Sequence, residues 1–438
     1  MRRVLGIWDL LVIAAAAIGP AFSLATTMGP MVGAAGYDAP LTLVFVTLIM
    51  ACVAVGYARL GARFPNAGSS YSWIRTAFGS AFGAYGAWVL VVANIFAIVV
   101  TAIPAGSYTL DLIAPQLADS PQATGIVGAL WTIAAGALLA RGLKPTTLVA
   151  AVFVIAEFAV LGAAALTASF MPATPHAVVA ATNVHGVSGL VGAVVIGIWI
   201  VDGWEVSAST AEEATDRTRA PGLGGLGGLL TTAGILVFGM SAFLRIGTPA
   251  GFADHPADVM AYVGTLLGGS TWRWVLTVTV LVSLAASLQT TLVYLSRSLF
   301  AMGRDGLVPA MLGRLDERGV PLVAIGGLTA LGVLFCLASG LFPSVKAGFD
   351  LILSGTSVFL GVLFLMSAAA SVRVFWTERG ARWLSGAGLP GLATVALAGI
   401  LVAAVNRSDR PTQAFLVVSA VLGLPFALWR SRAATNQI

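Results

Sequence analysis

Long apolar runs, separated by short polar stretches rich in Arg, Pro and Gly, set the rhythm of this 438-residue chain. They fall near 8–31, 40–62, 81–106, 121–140, 146–170, 189–211, 222–244, 273–299, 321–341, 349–372, 388–405 and 412–429. A helix needs about 20 apolar residues to cross a hydrocarbon core of roughly 30 Å, and these runs meet that length. Helices are the expected element because every backbone N–H and C=O must be satisfied inside the bilayer. The pattern predicts an all-α polytopic membrane protein of about twelve spans.

Two of the runs are interrupted near their middle, the first by Gly19-Pro20 and the sixth by Asp202-Gly203. Matching breaks in the first and sixth spans point to two five-helix repeats of inverted topology. The repeats would cover 8–170 and 189–372, with two additional helices at 388–429. No long polar linker separates them, so residues 1–438 are expected to form a single membrane transport domain.

Composition narrows the class further. The chain is 58% hydrophobic and 9% charged, with a mean hydropathy of +0.95. Soluble chains carry roughly 25% charged residues, so the lipid bilayer is the expected partner of most of this surface. Met1-Arg2-Arg3 leads straight into an apolar segment without a convincing cleavage site, which reads as a retained first span. Cys52 and Cys336 both lie in apolar runs and read as small buried hydrophobes rather than a disulfide framework.

The net charge of +5 and pI near 9.6 could suggest nucleic acid, but the placement of the charge argues against it. With a cytoplasmic N-terminus, 18 basic residues fall on that side, Arg59, Arg75, Lys144, Arg297 and Arg304 among them. Five fall on the other: Arg245, Arg273, Lys346, Arg407 and Arg410. This asymmetry is a topology signal, and it places both termini in the cytoplasm with no nucleic-acid partner expected. Lys144 and Lys346 are the only lysines. That arginine bias hints at a GC-rich bacterial genome, and hence at a multi-pass protein of the inner cell membrane.

The breaks are where chemistry is expected. In Ile18-Gly19-Pro20-Ala21-Phe22-Ser23, Pro20 has no N–H and clashes with the carbonyl four residues earlier. The helix should stop near Ile18 and restart with Pro20 in its first turn. The N–H groups of Ala21, Phe22 and Ser23 would then be orphan donors at a positive dipole end, suited to a carboxylate. A plain proline kink is the bland alternative. In Val201-Asp202-Gly203-Trp204-Glu205, two carboxylates sit near mid-membrane at a cost of roughly 2.5–3.5 kcal/mol each. Their D-x-x-E spacing is that of a capping box, which competes with contact to a substrate amine or a proton.

Glu157, midway along the fifth span, is a candidate proton carrier or cation ligand, with a plain interhelical hydrogen bond as the alternative. Asn94 reads as interhelical glue. Ser283, Ser287 and Thr290 recur at helical spacing and could offer oxygens to a cation, although small-residue packing explains them too.

Other signals lead nowhere. Gly222-Leu223-Gly224-Gly225-Leu226-Gly227 matches G-x-G-x-x-G but follows no strand, so close helix packing explains it better than a dinucleotide. No P-loop sequence occurs. His176, His185 and His255 fall in predicted external loops without metal-ligand spacing. Asn406-Arg407-Ser408 is a formal sequon without meaning in a bacterial source. No cofactor, metal or catalytic residue is expected, and the chain is not read as an enzyme.

Three stretches resemble the amino acid–polyamine–organocation permeases. Phe64-Pro65-Asn66-Ala67-Gly68-Ser69-Ser70-Tyr71 is similar to that family's F-P-x-A-G-[GS]-x-Y signature. Gly203-Trp204-Glu205, followed by Glu212-Glu213-Ala214-Thr215-Asp216-Arg217-Thr218-Arg219-Ala220-Pro221, resembles its G-[FW]-[ED] … E-E-x-x-[ND]-x-x-R-x-P pattern. Arg297-Ser298-Leu299-Phe300-Ala301-Met302-Gly303-Arg304-Asp305-Gly306-Leu307-Val308-Pro309 resembles its R-x-[LY]-[FY]-A-M-A-R-D-G-x-[LF]-P run. The resemblance spans nearly the whole chain. It implies a LeuT-type fold of ten core helices plus two, substrate between the first and sixth, and alternating access driven by protons, sodium or exchange. Gly19-Pro20-Ala21 stands where many members carry a G-S-G-like run that holds a substrate carboxylate, so a decarboxylated amine competes with an amino acid as the expected substrate.

The resulting expectation is a secondary active transporter of amino acids or related organic amines, coupled to protons through Glu157. Main-chain groups at 18–23 and 201–205 would form the site. Trp204 or Phe22 would cover the substrate, and Glu205 or Asp202 would meet its ammonium group. The alternatives are a sodium-coupled or exchange carrier of a nucleobase-like or sugar-like solute on the same fold, with Ser283 and Ser287 at the ion, and a non-transporting membrane sensor.

Overall fold

The computed structural model describes residues 3–174, 186–255 and 259–428, and among these every regular element is helical. His176, His185, Arg2, Arg430 and Arg432 lie outside the described residues. Ten stretches of the described residues are long and apolar enough to cross a bilayer, so the chain is a multi-pass membrane protein. The first of them runs from Ile7 to Arg63 and holds α1 (Ile7–Ile18), α2 (Pro20–Ala35) and α3 (Ala39–Arg63). There follow α4 (Ser69–Phe78), α5 (Ser80–Ile113), α6 (Pro121–Leu139), α7 (Leu143–Phe170) and α8 (Gly186–Ile200). After a non-helical stretch come α9 (Val206–Ser209), α10 (Ala220–Ile246), α11 (Pro249–Asp254), α12 (Val259–Gly268) and α13 (Ser270–Arg304). The chain closes with α14 (Leu322–Ala338), α15 (Val345–Phe375), α16 (Gly380–Trp383), α17 (Leu389–Arg407) and α18 (Arg410–Val421). The short α11 and α12 stand where the hydropathy pattern suggests only loop; they pack against α2 and α13.

Apolar stripes decide which faces meet lipid. Leu41, Phe45 and Leu48 on α3, and Leu148, Val152 and Ile155 on α7, are exposed at helical spacing, the pattern of a single lipid-facing side. The opposite faces enclose α1, α2, α8 and α13, whose side chains are largely buried. α17 and α18 lie at the periphery, against α3 and α15.

Gly19 divides the first span. Its φ of +59° is left-handed, and it ends α1 while starting α2 with Pro20 in the first turn. The sixth span departs from expectation. The helix stops at Ile200, Val201–Glu205 is irregular with Gly203 at φ +108°, and only the single turn α9 and a 3₁₀ turn over Ala211–Glu213 follow. A restarted helix reaching residue 211 does not form. The reason is local: Ser209 and Thr210 donate their hydroxyls to Val206 O and Ser207 O at 2.8 and 2.9 Å. Such local bonds compete with helix propagation, and the two glutamates that follow turn away to arginines on α13.

The Gly222–Gly228 run is a packing surface. A Cβ at Gly224 would lie 2.6 Å from Leu10 Cβ, and one at Gly228 would lie 2.5 Å from Ala14 Cβ. The missing side chains let α10 lie directly on α1.

Ion pairs join the helix ends: Arg59 pairs with Glu378, Lys144 with Asp9 at 2.7 Å, Arg273 with Asp111 at 3.9 Å and Lys346 with Asp350 at 2.7 Å. Arg318 donates to Ala140 O at 3.1 Å.

Candidate functional site

The start of α2 is where free amides are expected, and the protein itself fills it. Ala21 N–H donates to Glu157 Oε1 at 2.6 Å, and Phe22 N–H donates to Ser283 Oγ at 3.0 Å. Ser283 in turn donates its hydroxyl to Glu157 Oε1, and Ser23 N–H donates to Gly19 O at 2.8 Å. The amides of Ala21, Phe22 and Ser23, read from the sequence as free donors, are thus each engaged by the protein in this structure. A carboxylate does sit at the positive end of α2, but it belongs to α7. Glu157 is fully buried, and its second oxygen, Oε2, has no hydrogen-bond partner among the described residues.

The eighth-span hydroxyls are likewise engaged with protein. Ser287 donates to Ala17 O at 2.9 Å, while Thr290 donates back to Ala286 O and Ser287 O. Ser283 and Ser287 thus pin α13 to both sides of the first break, while Thr290 bonds only within its own helix. Asn94 donates to Leu90 O of its own helix, and no interhelical hydrogen bond from its side chain is seen among the described residues.

At the second break, Gly203 N–H donates to Glu205 Oε2 at 3.0 Å, and Glu205 stands at the N-cap of α9. The D-x-x-E capping box does not form as spaced, because Asp202 Oδ1 carries no partner among the described residues. Gly203 is forced by two circumstances at once. Its φ favours glycine, and a Cβ would lie 2.7 Å from the carbonyl carbon of Ala17. The two breaks therefore touch backbone to backbone.

Beside that contact lies a small cavity. Ala17, Ile18 and Phe22 line it from the first break, and Asp202, Gly203 and Glu205 from the second. Trp199 of α8 and Tyr294 of α13 complete its aromatic wall, with Asn94 opposite. Trp204 does not reach it. Its ring stacks on Phe364 at 5.7 Å and meets Tyr57 edge-on at 4.9 Å, and the tryptophan that lines the cavity is Trp199. Trp199 stands 6.2 Å from Phe22 in a T-shaped pair, and its Nε1 has no hydrogen-bond partner among the described residues. Both missed residues had a signal. Trp199 is one turn ahead of the break, and Tyr294 continues the 283, 287, 290 spacing.

A second hollow, of about 100 Å³, lies between α2, α5 and α15, with Asp119, Lys346 and Asp350 among its lining. Thr26 and Pro30 line it, on the face of α2 that carries Phe22.

Away from the cavity, on the arginine-rich side, the three signature stretches meet. Arg297 of the third pairs with Glu213 of the second at 3.2 Å, with side chains 1% and 6% exposed. Arg304 holds both oxygens of Glu212 at 3.0 Å, and Glu212 also accepts from Ala67 N–H of the first. Asp305 accepts from Tyr71 and Arg75 at 2.9 and 3.1 Å. The residues just before α1 join the same network. Val4 and Leu5 N–H both donate to Glu213 O, and Thr215 N–H donates to Leu5 O at 2.9 Å, forming an isolated parallel bridge to Ala214.

A multi-pass helical bundle whose buried cavity is walled by two broken spans defines a membrane transporter. Its signature stretches, spread from residue 64 to residue 309, close on one another at one face. The chain belongs to the amino acid permease family, whose pattern matches residues 5–426, and it is a transporter rather than an enzyme. It is similar to the branched-chain amino acid permease BcaP of Lactococcus lactis, 25% identical over 333 residues that cover 70% of this chain and 69% of the relative. It is also similar to an uncharacterized transporter of Mycobacterium tuberculosis, 25% identical over 327 residues covering 73% and 70% of the two chains.

Proposed function

We propose that this chain is a secondary active transporter that carries amino acids or related amines across a bacterial cell membrane by alternating access. In this reading it has twelve spans in a single domain. They form a LeuT-type pair of inverted five-helix repeats over 8–170 and 189–372, with two added helices and both termini cytoplasmic. The observation that carries the proposal is the cavity walled by Ile18 and Phe22 from one break and by Asp202 and Glu205 from the other. Unwound backbone at membrane depth is tolerated where it lines a cavity, and half-helix ends there recur as binding sites of carriers.

Solute would enter through the hollow beside Lys346 and Asp350 and pass Phe22 into the central cavity. The network of Glu212, Glu213, Arg297, Arg304 and Asp305 would be the opposite gate, closed in the present arrangement. Protons would couple to this cycle at Glu157, because its carboxylate joins α7 and α13 to the start of α2. Losing that charge loosens a joint between the helix that breaks and the helices that hold it. The similarity to a branched-chain amino acid permease makes leucine, isoleucine and valine natural members of a substrate panel.

The test is uptake into proteoliposomes of the full chain, with an imposed inward proton gradient, using labelled amino acids and amines. Accumulation that collapses with a protonophore, and that no longer follows the gradient in Glu157→Gln, is the expected result. Gradient-independent behaviour of every solute would overturn the coupled-carrier reading.

A further inference from the structure

We infer that the central cavity selects an organic cation that lacks a carboxylate, the amine left when an amino acid is decarboxylated, over the zwitterionic amino acid itself. The inference rests on the carrier reading above and concerns only what its site accepts.

An α-carboxylate needs donors, and those at the start of α2 are engaged. Pro20 has no N–H, Ala21 N–H is held by Glu157, Phe22 N–H by Ser283, and Ser23 N–H by Gly19 O. Among the described residues no Arg, Lys or His lines the cavity, while two carboxylates, Asp202 and Glu205, do. A bound carboxylate would be buried against two carboxyl groups with no cation beside it to offset its desolvation, an arrangement that works against binding.

An ammonium group finds the reverse. It carries three donors and no acceptor, and Asp202 Oδ1 is a buried acceptor without a partner among the described residues. The aromatic faces of Phe22 and Trp199 flank the same space and favour a cation. A second, independent observation points to a ligand. Trp199 is 7% exposed, lines the cavity, and has no acceptor for its indole N–H among the described residues. A neutral oxygen on the ligand, such as a hydroxyl, would satisfy it without adding negative charge.

Glu157 thus stands where the carboxylate of an amino acid would otherwise be held. Removing it should free the Ala21 amide for an incoming carboxylate and shift selectivity toward amino acids.

The test pairs each amino acid with its amine: leucine with 3-methylbutylamine, phenylalanine with phenethylamine, tyrosine with tyramine, and arginine with agmatine. Binding to the purified full chain is titrated calorimetrically at neutral pH. Each amine should bind at least about tenfold more tightly than its parent, the scale set by forming one charge-assisted hydrogen bond and avoiding one repulsion. Asp202→Asn should remove most of that preference, and Glu157→Ala should narrow it by improving the parent amino acids. Equal or tighter binding of the parents to the unaltered chain, or no saturable binding of any amine, overturns the inference. Amino acid preference with intact uptake would leave the carrier reading standing. Amine binding without uptake into proteoliposomes would instead sink the carrier reading and keep the selectivity.

Discussion

Glu157 accepts the N–H of Ala21 at 2.6 Å, so a side chain of α7 caps the first turn of a helix across a separation of 136 residues. One oxygen serves both Ala21 and Ser283, and it gives an acid at that depth a structural task independent of any coupling role. Glutamine keeps an oxygen acceptor there, whereas alanine leaves two buried donors unmet at about 1–3 kcal/mol each. Glu157→Ala should therefore unfold at a clearly lower temperature than Glu157→Gln in detergent. Equal thermal stability of the two variants would show that the contact does not hold α2 in place.

Trp199 and Trp204 should separate cleanly. Trp204 is stacked on Phe364 and buried, so Trp204→Ala should cost about 3–5 kcal/mol of stability, as large-to-small core changes do. Trp199→Phe keeps a ring against Phe22 but loses the N–H of a side chain that lines the cavity. It should alter ligand affinity with little change in melting temperature. Parallel thermal unfolding and binding titrations check both, and a stability loss in Trp199→Phe matching that of Trp204→Ala would refute the distinction.

Two ion pairs on the arginine-rich face should differ in weight. Arg297 and Glu213 are both buried, so Arg297→Met should cost about 3–5 kcal/mol by stranding a carboxylate. Adding Glu213→Gln should recover much of that loss. Arg304 is 38% exposed against Glu212, and Arg304→Met should cost no more than about 1 kcal/mol. Chemical or thermal unfolding of the three variants gives the ranking, and similar losses for both arginines would contradict it.

Gly203 and Gly79 test what the break requires. Both have positive φ, but a Cβ at Gly79 meets nothing within 4 Å, while one at Gly203 meets the backbone of Ala17. Gly79→Ala should cost about 1–3 kcal/mol from backbone conformation alone. Gly203→Ala should cost more than that and abolish uptake by driving the two breaks apart. Uptake that survives Gly203→Ala would mean that their contact is dispensable.

The sequence announced the helices and both breaks because apolar length, Gly19-Pro20 and Asp202-Gly203 are local signals. It also announced the close approach at Gly222–Gly228, since a run of small residues can do little else in a membrane helix. The occupant of the first break stayed hidden. Orphan amides are visible in a sequence, whereas Glu157 reaches them only through the packing of α7 against α1 and α13. Trp204 misleads for a related reason. It sits inside the unwound stretch, but the turn at Gly203 sends its ring toward Tyr57 and Phe364. The short sixth-span remnant is hidden because the pull of Arg297 and Arg304 on Glu213 and Glu212 arises only when α13 packs beside them.

The backbone seam between Leu5 and Glu213–Thr215 ties the lead-in of the first broken span to the tail of the second. Main-chain bonds of this kind do not depend on side-chain identity, so sequence drift can alter the residues there without undoing the stitch. If the halves rock during turnover, these two ends must swing together as one lever. A bulky fusion placed ahead of Arg3 would then load that lever directly, whereas the same fusion beyond the peripheral α18 would leave it free.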